Sequence, residues 1–293
     1  MTQFEVRNLS PTVGAEIIGF DPQAEIDQES WNRLSRTFDE RVMLVFRDID
    51  LSVARQHEIV EILQAGGDMS APQGTDAERF SYVSNKEEDG GAPYGRLMYH
   101  SDMMWSDIAF QTPSLYAVEA QQPSTPTTFT NIIHAWTALP NDLKERLKGL
   151  SARHESGQQG RGNTAYEDQL IQPQWSKLRE TVKPIAMPHP RTGEIMLYVC
   201  EQQTREIVGL PKKESDALLD QLFEHMYRPE WVIAHQWRTG DLVIWDNMAA
   251  QHGRPYVEGG GPARTLRKIH APSKVLDAYL KSMADIPSYE KAM

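Results

Sequence analysis

Gly240-Asp241-Leu242-Val243-Ile244-Trp245-Asp246-Asn247, running on through Met248-Ala249-Ala250-Gln251 to His252-Gly253-Arg254, is the stretch that decides the fold of this chain. Thr239-Gly240-Asp241 reads as a turn. Leu242 to Trp245 is a short continuous apolar run, the pattern of a strand buried on both faces. Such a strand delivers His252 toward the interior of a β-rich fold. A histidine placed after a strand is often only a hydrogen-bonded structural residue, so its meaning depends on what stands elsewhere. Twelve residues further on, Arg264 begins another strand, where a guanidinium can fork onto a carboxylate with two parallel hydrogen bonds.

Upstream, the matching element is His100-Ser101-Asp102. Residues i and i+2 of a strand project from the same face, so an imidazole and a carboxylate at this spacing can serve one ion. Nine histidines make such a triplet common by chance, in roughly half of such chains at about 5% Asp usage. Order and context add the weight. Two imidazoles and one carboxylate on one face of an iron leave its other positions open, the arrangement of non-haem Fe(II) oxygenases.

Around these segments the chain reads as many short strands with turn signals, the pattern of a β sandwich or barrel. Phe4-Val6, Ala15–Phe20, Val42–Phe46, Phe80–Ser84, Ser114–Ala120 and Thr127–Asn131 are strand candidates in the first half. Val182–Pro188, Ile195–Val199, Trp231–Trp237 and Thr265–His270 follow in the second. Helices are predicted over Glu29–Glu40, over Leu51 to Gln64 with Ser52 as cap, over Trp136–Leu150 and over Lys213–Tyr227. The expected class is therefore mainly β with flanking helices, a single domain over residues 1–293. A glycine-containing stretch near 157–175 with little periodicity reads as a mobile lid loop.

Composition narrows the function classes. Forty per cent hydrophobic and 24% charged residues are ordinary for a globular chain. A net charge of −11 without a Lys/Arg cluster argues against nucleic acid as a partner. Cys200 is the single cysteine, so no intramolecular disulfide and no multi-thiolate zinc site can form. No apolar run approaches the 18 or so residues of a membrane span, and the start lacks a signal-peptide pattern, so a cytoplasmic protein is expected.

Taken together, these segments resemble the TauD/TfdA family of Fe(II)/2-oxoglutarate-dependent dioxygenases. The resemblance is carried by Tyr99-His100-Ser101-Asp102-Met103-Met104-Trp105, Thr127-Thr128-Phe129-Thr130-Asn131, Ala135-Trp136-Thr137-Ala138-Leu139-Pro140 and His189-Pro190-Arg191-Thr192-Gly193. Trp245-Asp246-Asn247 through His252, Arg264-Thr265-Leu266 and the early Gly14–Gly19 complete it, so it spans nearly the whole chain in order. It implies a double-stranded β-helix (jelly-roll, cupin-like) core. It implies Fe(II) held by His100, Asp102 and His252, with O2 and 2-oxoglutarate as cosubstrates and Arg264 and Thr127 on the distal carboxylate. Decarboxylation to succinate and CO2 then drives oxidation of an unactivated C–H bond in a small-molecule substrate. A carboxylate at Asp102 fills the position that halogenases of related fold leave open for chloride, which favours hydroxylation, with or without consequent C–O or C–S cleavage. Family members form dimers and tetramers, so a homodimer or homotetramer is the expectation from the resemblance.

The substrate site is where the chain departs from the pattern. Taurine-type members carry a substrate-gripping arginine four residues beyond the 2-oxoglutarate arginine; here that residue is Lys268, beside Arg267. A family asparagine four residues before the first ligand corresponds to Arg96. Arg96, Arg267 and Lys268 are thus the candidates for holding an anionic substrate. Met98 and Tyr99, with Met103, Met104 and Trp105, fit either barrel core or a wide apolar substrate pocket. Arg254 fits either a surface ion pair or the cosubstrate site. Two further readings use the same residues: a catalytically silent jelly roll that binds a small acid, and a zinc hydrolase, which leaves Arg264 and Thr127 without a role.

Overall fold

Two paired strands, β1 (Glu5–Asn8) and β2 (Ala15–Ile18), lead into helix α1 (Gln28–Arg41), strand β3 (Met43–Phe46) and helix α2 (Val53–Gln64). Strands β4 (Ser81–Ser84), β5 (Leu97–His100), β6 (Thr112–Ala120) and β7 (Thr127–Asn131) follow, then the short helices α3 (Ile132–Thr137) and α4 (Asn141–Leu147). Strands β8 (Ser151–Glu155), β9 (Glu180–Pro184), β10 (Ala186–Pro188), β11 (Ile195–Leu197) and β12 (Thr204–Ile207) precede helix α5 (Lys212–Met226). The closing strands are β13 (Ile233–His235), β14 (Leu242–Trp245), β15 (Ala250–Arg254) and β16 (Arg264–Ala271). The computed structural model describes residues 4–70, 80–107, 111–156 and 179–272, and the loop expected near 157–175 lies outside them. No helix among the described residues is long and apolar enough to cross a membrane.

Seven strands form one sheet in the order β1-β2-β3-β14-β6-β16-β4, and four form a second in the order β13-β7-β15-β5. The apolar runs that marked β3 and β14 have a simple cause, because both faces of the large sheet are covered. Leu44, Phe46, Leu242 and Ile244 pack outward with Trp31, Leu34 and Phe38 of α1 and Ile59 and Leu63 of α2. Their neighbours Val45, Val243 and Trp245 point inward, to a core shared with Phe129 and Ala250 of the smaller sheet. Burying each such side chain contributes about 1.5–3 kcal/mol, and the alternation fixes the register. Two sheets around one core make the expected jelly roll, with helices outside one of them.

The helices end where their chemistry requires. Asp27 and Ser52 cap α1 and α2 by accepting from the backbone N–H groups of Ser30 and Arg55. The single helix expected over Trp136–Leu150 is instead two. Asn131 starts α3 early by accepting from Ile133 and His134, and Pro140, which has no N–H to donate, separates it from α4. The strand expected from Trp231 begins only at Ile233, because Pro229–Trp231 forms a 3-10 turn.

Candidate active site

The smaller sheet builds one end of the site. β15 lies between β7 and β5, with His252 opposite His100 on one side and Phe129 on the other. This close pairing needs Gly253, since a Cβ there would stand 3.0 Å from the Leu97 carbonyl oxygen. The His100 Nδ1–H donates to the Met98 carbonyl at 2.8 Å. A carbonyl only accepts, so this bond fixes the tautomer that leaves the Nε2 lone pair free for a metal. Asp102 Oδ1 lies 3.4 Å from His100 Nε2 and 3.9 Å from His252 Nε2. One potential ligand atom from each of the three residues falls within 4.8 Å of the others.

The Asp102 backbone is held from across the chain. Its N–H donates to the Asn247 side-chain oxygen at 2.8 Å, and Asn247 donates back to its carbonyl at 2.7 Å. Met103, the next residue, adopts a left-handed φ of 56°, which costs energy in a non-glycine residue and is held by this clamp. Burial raises the Asp102 carboxyl, but Lys268 and the two imidazoles outweigh it and hold it well below its ordinary value. Burial and the neighbouring His100 push His252 well below the ordinary imidazole value. The set therefore presents a carboxylate at Asp102 and a neutral imidazole at His252.

A cavity of about 180 Å³ opens beside this set and runs between the sheets. That is room for on the order of a dozen waters. Thr127, Arg254 and Arg264 also line it, with Arg264 four residues, about 13 Å, along β16 from Lys268. Both arginines are buried, and among the described residues neither forms an ion pair with a carboxylate. Burial lowers Arg264 to about 10, and burial together with Arg264 lowers Arg254 to about 9, so both stay cationic at neutral pH. Arg264 donates to the Thr125 carbonyl at 3.2 Å. Arg254 donates to the carbonyls of Ala92, Tyr94 and Gly95, at 2.9 Å for the last two, tying that loop over the cavity. Thr127 Oγ1 accepts from Trp237 Nε1 at 3.0 Å, which leaves its own O–H free to donate. Arg254 Nε, the Tyr94 hydroxyl and Gln202 Oε1 all border the cavity and are buried without a hydrogen-bond partner among the described residues. Orphaned buried polar atoms are costly, and a dicarboxylate of 2-oxoglutarate size supplies acceptors for the Arg254 Nε–H and the Tyr94 O–H, while Gln202 Oε1 needs a donor. The donor set beside them, two nitrogens and one oxygen, suits Fe(II).

Not every expected residue reaches this cavity. Along β16, Arg264, Leu266 and Lys268 face it, whereas Arg267 projects from the opposite side of the strand. There Arg267 donates to Gln56 Oε1 at 2.8 Å and to the Leu51 carbonyl at 2.6 Å, and it stacks over Tyr116. Arg96 is 57% exposed at its side chain, 3.8 Å from Glu201, outside the cavity wall. Met98 is buried and serves His100 through its carbonyl, and Tyr99 stacks on Tyr227 with centroids 4.2 Å apart. Neither lines the cavity. Arg254 is no surface residue but part of the arginine end. Trp245 also lines the wall, as do Ser81, Tyr82 and Val83 of β4 and Gln202, which carry no motif of their own.

Comparison with known proteins agrees with this geometry. Residues 5–270 match the family described as taurine catabolism dioxygenase TauD, TfdA family. An alpha-ketoglutarate-dependent 2,4-dichlorophenoxyacetate dioxygenase of Cupriavidus pinatubonensis is 28% identical over 272 residues, covering 85% of this chain and 91% of the relative. Pentalenolactone F synthase of Streptomyces avermitilis is 27% identical over 286 residues, covering 88% and 90%. The crystal structure of a taurine dioxygenase from Burkholderia xenovorans superposes with a TM-score of 0.70 at 23% identity, covering 90% and 89% of the two chains. The chain belongs to the TauD/TfdA family and is a non-haem Fe(II)- and 2-oxoglutarate-dependent dioxygenase.

Proposed function

We propose that this chain, acting as a single domain over residues 1–293, hydroxylates a small anionic organic molecule, with C–O or C–S cleavage following where the hydroxylated product is unstable. His100, Asp102 and His252 would hold Fe(II), and Arg264 with the Thr127 hydroxyl would take the distal carboxylate of 2-oxoglutarate. When bound, the iron supplies oxygen activation coupled to conversion of 2-oxoglutarate into succinate and CO2. The protein's own part is geometric and electrostatic. The Met98 carbonyl orients His100, Asn247 fixes the backbone of Asp102, and Arg254 keeps the 92–95 loop closed over the cosubstrate. The apolar wall of Val83, Leu115 and Leu266 excludes water from the reacting end.

The observation that carries the reading is the charge balance of the cavity. Three cations, Arg254, Arg264 and Lys268, face it against one carboxylate, Asp102. A divalent metal raises that excess and a dicarboxylate only offsets the metal, so the remaining positive excess favours an anionic substrate. A relative named for 2,4-dichlorophenoxyacetate, itself a carboxylate, supports the same class.

The test is an anaerobic titration of the Fe(II)-loaded protein with 2-oxoglutarate, followed by its visible charge-transfer band. A saturable band that is missing in His252→Ala supports the assignment, and its perturbation by candidate acids then screens substrates. Bound iron without a band would overturn it in favour of a silent binder or a zinc hydrolase.

A further inference from the structure

Lys268 was expected to grip the substrate, yet its ammonium rests on a metal-ligand residue. Lys268 Nζ donates to Asp102 Oδ2 at 2.7 Å, while Oδ1 of the same carboxylate faces the two imidazoles at 3.4 and 3.9 Å. The two oxygens are thus divided between two tasks. Asn247 fixes the Asp102 backbone through its N–H and its carbonyl, and Lys268 holds the outer carboxylate oxygen. Lys268 itself is fixed on β16, paired on both sides, with Ser81 of the edge strand β4 and with Leu115 of β6.

We infer that Lys268 is a positioning residue for Asp102: it occupies Oδ2 so that the carboxylate offers the metal a single oxygen. The inference rests on the dioxygenase reading above. Its chemical sense lies in the count of open positions. A facial set of two imidazoles and one single-oxygen carboxylate leaves three places on a six-coordinate ion. A chelating cosubstrate would use two of them, leaving one for oxygen chemistry. A carboxylate free to bind through both oxygens would close one. Ligating carboxylates are commonly held by such an outer partner, whose loss weakens metal binding. The substrate anion is then held by the field of the whole cavity rather than by a dedicated clamp at Lys268.

Mn(II) binding to the otherwise metal-free protein, measured by calorimetry, tests this with no turnover involved, and the visible spectrum of the Co(II)-loaded protein reports the coordination number. The positioning role predicts that K268M binds Mn(II) about tenfold more weakly than the parent, and that the Co(II) spectrum shifts to that of a carboxylate bound through both oxygens. K268Q and K268R, which keep an N–H donor, restore most of the affinity and the parent spectrum. Electrostatics alone predicts the opposite sign, since removing a cation beside a divalent ion strengthens binding. Equal or tighter Mn(II) binding in K268M with an unchanged Co(II) spectrum would therefore overturn the inference. If K268M fails to fold, K268Q decides: parent-like affinity and spectrum support positioning, and tighter binding refutes it. His252→Ala separates the two levels. Mn(II) binding that survives His252→Ala removes the dioxygenase reading itself, whereas binding lost there but indifferent to Lys268 removes only the inference.

Discussion

The two ends of the cavity solve the burial of charge in opposite ways. At the metal end every charge has an internal partner, Asp102 with Lys268 on one oxygen and the imidazoles on the other. At the arginine end, Arg254 and Arg264 lean on backbone carbonyls and have no carboxylate among the described residues. A buried unpaired cation is expensive, so the second end is stable only to the degree that an anion arrives. The contrast separates a preassembled metal set from a cationic end, the proposed cosubstrate site, that an anion would complete.

The largest expected effect breaks the preassembled end. Asp102→Ala abolishes oxidation and lowers Fe(II) affinity by more than the roughly 10–100-fold that loss of an outer partner costs; anaerobic Fe(II) titration measures it. At the other end, Arg264→Lys keeps the charge but loses the fork. The 2-oxoglutarate dissociation constant should rise by roughly 30-fold, matching ~2 kcal/mol of charged hydrogen bonding, with iron still bound. An unaltered cosubstrate dependence would mean the two ends do not differ as described.

Acid sharpens the comparison from outside the cavity. His154 is fully buried beside Thr204, and burial, then Lys183 and Arg205, lower it from 6.5 to about 3. Between those values the unfolded chain binds a proton that the folded chain does not. Stability from this group is therefore present above pH 6.5 and falls as pH drops toward 3, by up to about 1.4 kcal/mol per pH unit. Urea unfolding of the metal-free protein at pH 7, 6 and 5 should show a shallower loss in His154→Gln. Equal slopes would place the acid sensitivity in the cavity groups instead.

The smallest effect concerns residues that miss the cavity. Arg267→Met should leave metal and cosubstrate binding unchanged while destabilising the fold by about 1–3 kcal/mol, because Gln56 and the Leu51 carbonyl lose a buried donor. Weakened 2-oxoglutarate binding in that variant would show that the two sides of β16 are not independent.

How far these roles were legible differs residue by residue. His100, Asp102 and His252 stood out because the motif spacing and their order along the chain agreed. Arg267 was separable from Lys268 by parity alone, since positions 264, 266 and 268 share one side of a strand. The same parity joins His252 to Arg254 on β15 and explains why Arg254 lines the cavity. Arg96 defeats parity. It lies four residues before His100, but the pairing of β15 with β5 shifts register between His252 and Arg254, so Leu97 and His100 both face inward and alternation fails. No sequence signal announces that irregularity, nor β5, β8, β12 and β15 themselves, which lack the apolar runs of β3 and β14. Asn247 was visible only as part of a motif. Its clamp on Asp102 depends on a contact across the whole fold.

That clamp has a consequence for how the protein comes into being. Asn247 follows Asp102 by 145 residues, and Lys268 follows it by 166. During synthesis, a ribosome must therefore finish nearly the entire described chain before the first ligand pair at His100 and Asp102 has its partners. Contacts of such long range form late. Iron capture thus reports completion of the jelly roll, and a truncated or stalled product has no means of holding the metal.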